Sequence, residues 1–205
     1  MSEMEKLKTG TTTIGIRIDD AVILASESKS TMGYLVASKT AQKIYKIDDK
    51  MALTTAGGSG DALEVVRILR AEIALYKLEN ENISVNAVAN LLSNILQSNR
   101  YFPYYVGLIL GGYDSKGPHV FSMDAVGGVE EEKKFTATGS GSPIALGVLE
   151  SNYNDKLSKN EAIKLAISAI KSAAQRDIFS GGDEIRVFVI TNKGIEIVNT
   201  KKFKN

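Results

Sequence analysis

The chain has 205 residues, 43% of them hydrophobic, and no Pro/Gly/Ser-rich linker divides it, so it is long enough for one domain with a full hydrophobic core. Its net charge is +1, and its lysines and arginines are interspersed among acids, which leaves no electrostatic footprint for nucleic acid or for an anionic membrane. The absence of cysteine excludes disulfides, thiolate nucleophiles and thiolate metal sites, and the single histidine, His119, is all that a Ser-His-Asp triad could use.

Apolar runs such as Ala21 to Ala25 are too short to cross a bilayer, and residues 1–10 lack the apolar core of a secretory signal, so a soluble cytoplasmic protein is expected. Residues 1–10 are polar and lysine-rich and read as an extension. Thr12 to Ile18 and Ala21 to Ser26 are two β-rich runs about Asp19-Asp20, a hairpin pattern, and Tyr34 to Ala37 with Gln42 to Ile47 form a candidate second pair. Met51 to Ala56 is a further strand running through Gly57-Gly58-Ser59-Gly60 into a helix, with Leu63, Val66, Leu69, Ile73 and Tyr76 at helical spacing. A second helix starts at the cap Ser84, carries Val88, Leu91, Leu92 and Ile95 inward and ends near Arg100.

Val106 to Leu110 and His119 to Met123 read as strands joined by a turn at Asp114 to Gly117, and Lys134 to Thr138 as another. Gly139-Ser140-Gly141-Ser142-Pro143 leads into a short helix through Glu150. The capping box Ser158 to Glu161 opens a helix that buries Ala162, Leu165, Ala166, Ala169 and Ile170 and runs to about Arg176. Ile185 to Thr191 and Gly194 to Thr200 close the chain as a hairpin. Strand groups linked by hairpins and separated by helix pairs predict antiparallel sheets with helices packed on them, an α+β layered sandwich. The single β-α-β alternation of a doubly wound sheet is missing.

Several residues invite chemistry. Gly10-Thr11 precedes a strand, and cutting that bond would leave Thr11 with both a hydroxyl nucleophile and an α-amino group, whose reference pKa of about 7.7–8.0 suits a general base. The plainer alternative is an edge strand that begins with threonines. At Gly57 to Asp61 a helix-initiating turn competes with two functional readings. Phosphate binding is disfavoured because Asp61-Ala62 stands where a Walker motif needs Lys-Ser/Thr, whereas a backbone N–H at Gly57 could stabilise an oxyanion. Glu27 and Lys43 are surface charges or a pair projecting from neighbouring strands into one cleft, where a charged lysine would lower the pKa of the Thr11 hydroxyl or amine. Asp177 to Gly182 offers a further carboxylate and hydroxyl, or a helix stop. His119 reads as a half-exposed structural residue.

Taken together and in order, Gly10 to Gly15, Ala25-Ser26-Glu27, Lys43, Thr55-Ala56-Gly57, Gly139 to Pro143, Gly147 to Glu150 and Arg176-Asp177 through Gly182 resemble the archaeal proteasome β-subunit family, over about Thr11 to Thr200. The resemblance implies the N-terminal-nucleophile hydrolase fold, a four-layer αββα sandwich of two antiparallel sheets between helical layers. It implies a propeptide of residues 1–10 and a domain of residues 11–205, with Thr11 as nucleophile, Lys43 tuning the base, Glu27 holding Lys43 and Gly57 forming the oxyanion hole. Ser140, Asp177 and Ser180 would orient Thr11 and its amine, and Ser30, Ala41, Tyr45, Thr55, Ser59 and Leu63 would line the substrate pocket. No metal or organic cofactor is implied. The implied partners are α subunits and other β subunits in stacked seven-membered rings, an unfolding ATPase and unfolded polypeptide substrates. Where many members of the family carry two arginines after the acidic residue, this chain has Ser28-Lys29, and a lysine cannot reproduce a bidentate arginine contact. A structural β subunit that completes the ring without cutting is the competing expectation, and nucleotide binding at the glycine turns is a remote third.

Overall fold

The computed structural model describes residues 10–201; the expected leader, apart from Gly10, lies outside the described residues. In chain order the strands of the first half are β1 (Thr13–Ile18), β2 (Ala21–Glu27), β3 (Ser30–Met32), β4 (Leu35–Ser38), β5 (Ile44–Asp48) and β6 (Met51–Gly57), followed by helices α1 (Ser59–Glu79) and α2 (Val85–Ser98). The second half has β7 (Val106–Asp114), β8 (Gly117–Met123), β9 (Val129–Glu132), β10 (Phe135–Thr138), α3 (Ser142–Asn152), α4 (Lys159–Arg176), β11 (Glu184–Thr191) and β12 (Gly194–Lys201).

Two five-stranded sheets, ordered β10-β1-β2-β11-β12 and β5-β6-β7-β8-β9, are antiparallel at every pairing. The two-residue periodicity of β2 sorts its side chains: Val22 and Leu24 point between the sheets, while Ala21, Ile23 and Ala25 point towards α4. Three apolar layers result. One joins α1 and α2 to the second sheet, one joins α3 and α4 to the first, and the middle one holds Val22, Leu24, Ile44, Ala52, Ile109, Val120, Phe188 and Ile190 between the sheets. Each fully buried Leu or Ile there contributes about 1.5–3 kcal/mol. Glycine lets the sheets approach: a Cβ on Gly111 would lie 2.9 Å from Val22 and 3.0 Å from Leu24. The architecture is the four-layer α+β sandwich.

Two expectations need correction. Tyr34 to Ala37 does not pair with Gln42 to Ile47; β4 folds back on β3 as a separate two-stranded unit, and β5 pairs with β6. The intervening segment cannot turn back because it is tied down elsewhere: the Lys39 carbonyl accepts from Ser28 Oγ and from the Asp183 N–H, and the Thr40 carbonyl accepts from Arg186. The buried stripe of α1 is Ala62, Val65, Val66, Leu69 and Ile73, whereas Leu63 and Tyr76 at the ends of the expected stripe are 52% and 43% exposed. The caps behave as the pattern predicts, with Ser84 accepting from the Ala87 N–H and a complete capping box at Ser158 and Glu161.

Candidate active site

Three β-branched threonines favour extended chain, and they enter β1 between β10 and β2, where Thr13 stands opposite both Thr138 and Ser26. Thr12 and Thr13 are fully buried, so their hydroxyls need partners and have them. Thr12 Oγ1 is 2.6 Å from Ser180 Oγ, and Thr13 Oγ1 is 2.7 Å from Thr138 Oγ1 and accepts from Thr54 Oγ1 at 3.0 Å. The Thr11 carbonyl lies against Gly139, at φ +96°, where a Cβ would come within 1.9 Å of that oxygen; only glycine fits.

Glu27 ends β2 and Lys43 immediately precedes β5, so the two come from opposite sheets and not, as expected, from neighbouring strands. They form a buried ion pair. Lys43 Nζ also donates to Thr11 Oγ1 at 2.8 Å and to the Lys29 carbonyl, and these three acceptors match the three protons of an ammonium. The Glu27 carboxylate takes the Thr12 N–H on one oxygen, and on the other the N–H groups of Lys29 and Gly181. Burial pushes the Glu27 carboxyl above its ordinary range despite Lys43 and those N–H donors, and burial lowers the Lys43 amine despite Glu27. Both shifts have one sign of cause: losing water costs each ion more than its partner returns.

On the other side of Thr11, its backbone N–H donates to Ser140 Oγ at 3.2 Å, and its hydroxyl donates to the Gly10 carbonyl at 2.7 Å. Asp177, the C-cap of α4, accepts from both Ser140 Oγ and Ser180 Oγ at 2.6 Å. Ser180 therefore reaches Thr12 and Asp177, and Thr11 only through them. The glycines expected as a helix stop come later: Gly181 and Gly182 have positive φ and bring the loop onto Glu27 and Ser28. Ser28-Lys29 has its own work, since Ser28 Oγ bridges the Lys39 carbonyl and the Glu184 N–H, and Lys29 Nζ donates to the Ile178 carbonyl at 2.7 Å.

A cavity of about 90 Å³ opens beside Thr11. Ser30, Ala41, Tyr45, Thr55, Ser59 and Gly57 line it. Leu63 does not; Ala62 takes that place because the buried stripe of α1 begins with it. Thr31 and Gln42, which adjoin the expected wall residues Ser30 and Ala41 in sequence, line it too, with Gly10, Thr11 and Lys43. Gly57, at φ +123°, is the turn where β6 hands over to α1. His119 takes no part: its side chain is 12% exposed, not half exposed, between Asp114 and Glu131 on the second sheet.

The arrangement sets a hydroxyl against a buried cation on one side and a hydroxyl-carboxylate relay on the other, beside a small cavity; this is equipment for nucleophilic attack on a carbonyl. A family model described as "Proteasome subunit" matches residues 7–190. A "Proteasome subunit beta" of Methanocaldococcus fervens is 55% identical over 197 residues, 95% of this chain and 88% of that protein. Proteins of the same name from Methanocaldococcus jannaschii, at 53% over 95% of this chain and 88% of their own length, and Methanosarcina barkeri, at 46% over 98% and 95%, are likewise similar.

Proposed function

From a chain that belongs to the proteasome family and is a proteasome β subunit, we propose a catalytic subunit: a threonine-type endopeptidase whose nucleophile, Thr11, is released by cleavage of its own Gly10–Thr11 bond. The observation that carries this reading is the bond from Lys43 Nζ to Thr11 Oγ1 at 2.8 Å, made by a lysine that Glu27 holds in place.

In the uncut chain the Thr11 nitrogen is an amide and cannot serve as a base. Thr11 Oγ gives up its proton as it attacks the Gly10 carbonyl carbon, the C–N bond breaks as the ester forms, and that proton, passed on through water, ends on the leaving nitrogen, 3.2 Å from Ser140 Oγ. Water then hydrolyses the ester and frees residues 1–10. In the mature subunit the new amine takes the Oγ proton, directly or through water, as Oγ attacks the substrate carbonyl. The Gly57 N–H receives the developing oxyanion. The amine returns the proton to the leaving group, and a water that it activates releases the acyl chain. Lys43 stays protonated and stabilises negative charge on Oγ.

The subunit works in an assembly with other proteasome subunits, in our reading as stacked seven-membered β rings between α rings, fed unfolded polypeptide by an ATPase in the cytoplasm. Among the described residues no helix is long and apolar enough to cross a membrane. The lysine on the cavity wall is neutralised by Glu27 and the other wall residues carry no charge, so peptides with an uncharged residue before the cut should be cleaved fastest. Faster release after Glu or Arg in a fluorogenic peptide series would contradict this. Mass spectrometry of the chain from assembled, peptide-cleaving particles tests the whole reading. A chain beginning at Thr11 is expected; one that begins earlier, in particles holding another processed β subunit, makes this a structural subunit instead.

A further inference from the structure

Resting on that reading of Gly57, we infer that Asp61 is a positioning residue for the oxyanion hole, acting through the backbone of Tyr105. Gly57 and Gly58 form the turn into α1, and both meet one peptide group of the segment before β7. The Gly58 N–H donates to the Tyr105 carbonyl at 2.8 Å, and a Cβ on Gly57 would stand 2.1 Å from that same oxygen. This contact fixes where the turn can lie, provided that Tyr105 itself is held. Tyr105 is itself exposed, as are Tyr101 and Phe102, between Tyr104, which packs against the core, and the buried Val106. What holds its N–H is Asp61, whose Oδ2 accepts from it at 2.7 Å.

The result is a closed ring of contacts. Gly58 reaches Tyr105 O, Tyr105 N reaches Asp61, and Asp61 returns to Gly58 through the first turn of α1, with its Oδ2 3.6 Å from where a Gly58 Cβ would be. Gly57, at φ +123° and without a side chain, ends β6 opposite Val106, and this ring fixes the turn that follows it, so ladder and ring together set the direction of its N–H. Asp61 does not line the cavity beside Thr11, so its influence on the reaction passes through the turn.

The test uses assembled particles carrying Asp61→Ala or Asp61→Asn. Asn keeps an oxygen acceptor for the Tyr105 N–H and loses only the charge. Asp61→Ala should lower kcat about tenfold with KM nearly unchanged, because a misdirected donor weakens transition-state binding alone. A peptide aldehyde, which adds to Thr11 Oγ and forms an oxyanion, should bind about tenfold more weakly, while the matching peptide alcohol binds as before. Asp61→Asn should restore both. If Asp61→Ala impairs assembly, Asp61→Ser, whose side chain is shorter than that of Asp, provides the same comparison. Unchanged kcat and aldehyde affinity in Asp61→Ala, equal loss of aldehyde and alcohol binding, or failure of Asp61→Asn to restore would each overturn the inference. Wild-type particles that retain residues before Thr11 and leave peptides uncut would overturn the catalytic reading, and this one with it.

Discussion

Thr11 sits between two proton-handling groups of opposite sign, Lys43 at its hydroxyl and the Ser140–Asp177 pair at its nitrogen. Replacing it with alanine removes a hydroxyl and a methyl from a residue that precedes β1, and β1 stays paired on both sides. Thr11→Ala should therefore assemble normally, retain residues 1–10 and show no peptidase activity, as read by native gels, mass spectrometry and a fluorogenic assay. The pH profile follows from the direction of the lysine shift. In the proposed mechanism activity should rise as the freed amine loses its proton, with a reference pKa of about 7.7–8.0. It should fall again when Lys43 becomes neutral. Because burial lowers the Lys43 pKa from its ordinary 10.5, that loss comes at lower pH than for a free lysine. kcat/KM should trace a bell whose alkaline limb lies below pH 10.5; a plateau extending beyond it would mean that Lys43 need not be charged.

At the scale of elements, the loop between α4 and β11 packs on the Gly10–Thr11 bond, the proposed cleavage site. Gly10 is packed so closely that a Cβ would lie 1.9 Å from Phe179 Cβ and 2.5 Å from Ser140 Oγ. Phe179 Cβ is fixed to the backbone, so a rotamer change cannot clear the clash. Gly10→Ala should slow processing by about tenfold or more, since small displacements of reacting atoms are costly. A chain made to start at Thr11 would lack the residue and keep full activity, which separates a maturation defect from a catalytic one. Hairpins with tight turns, such as β1–β2 about Asp19-Asp20 and β11–β12, were legible in the sequence because turn residues and alternation coincide. β9 is not, since Val-Glu-Glu-Glu is a short edge strand with no alternation, and the true partner of β5 has no local signal because the ties to the Lys39 and Thr40 carbonyls come from distant residues. For the site, the residue types in the threonine, lysine and glycine motifs could be read locally. That Glu27 and Lys43 face each other across two sheets could not, because sheet-on-sheet contact is set by the whole packing.

In the whole molecule the site draws on both sheets and on the loops after β10 and α4, so everything that steadies those loops bears on activity. The β3–β4 unit beside the cavity leaves Met32, Tyr34, Leu35 and Val36 exposed, an apolar surface next to Ser30 and Thr31 on the cavity wall. If neighbouring subunits cover this surface and fix the cavity wall, the isolated chain should be inert and unprocessed, with peptidase activity co-eluting only with large particles on size exclusion; activity in the monomer fraction would show that processing and cleavage need no assembly. The position of Thr11 has one more consequence. Chain ends ordinarily fray, because the last residues have neighbours on one side at most. Here the proposed cut would fall two residues before a strand hydrogen-bonded on both edges, with Gly139 against the Thr11 carbonyl and Thr12 fully buried. The new terminus would form inside finished architecture rather than at its margin. In the proposed maturation the cut would release Gly10 from Phe179 and Ser140, while the buried Thr12 and the strand behind it would stay where their neighbours hold them.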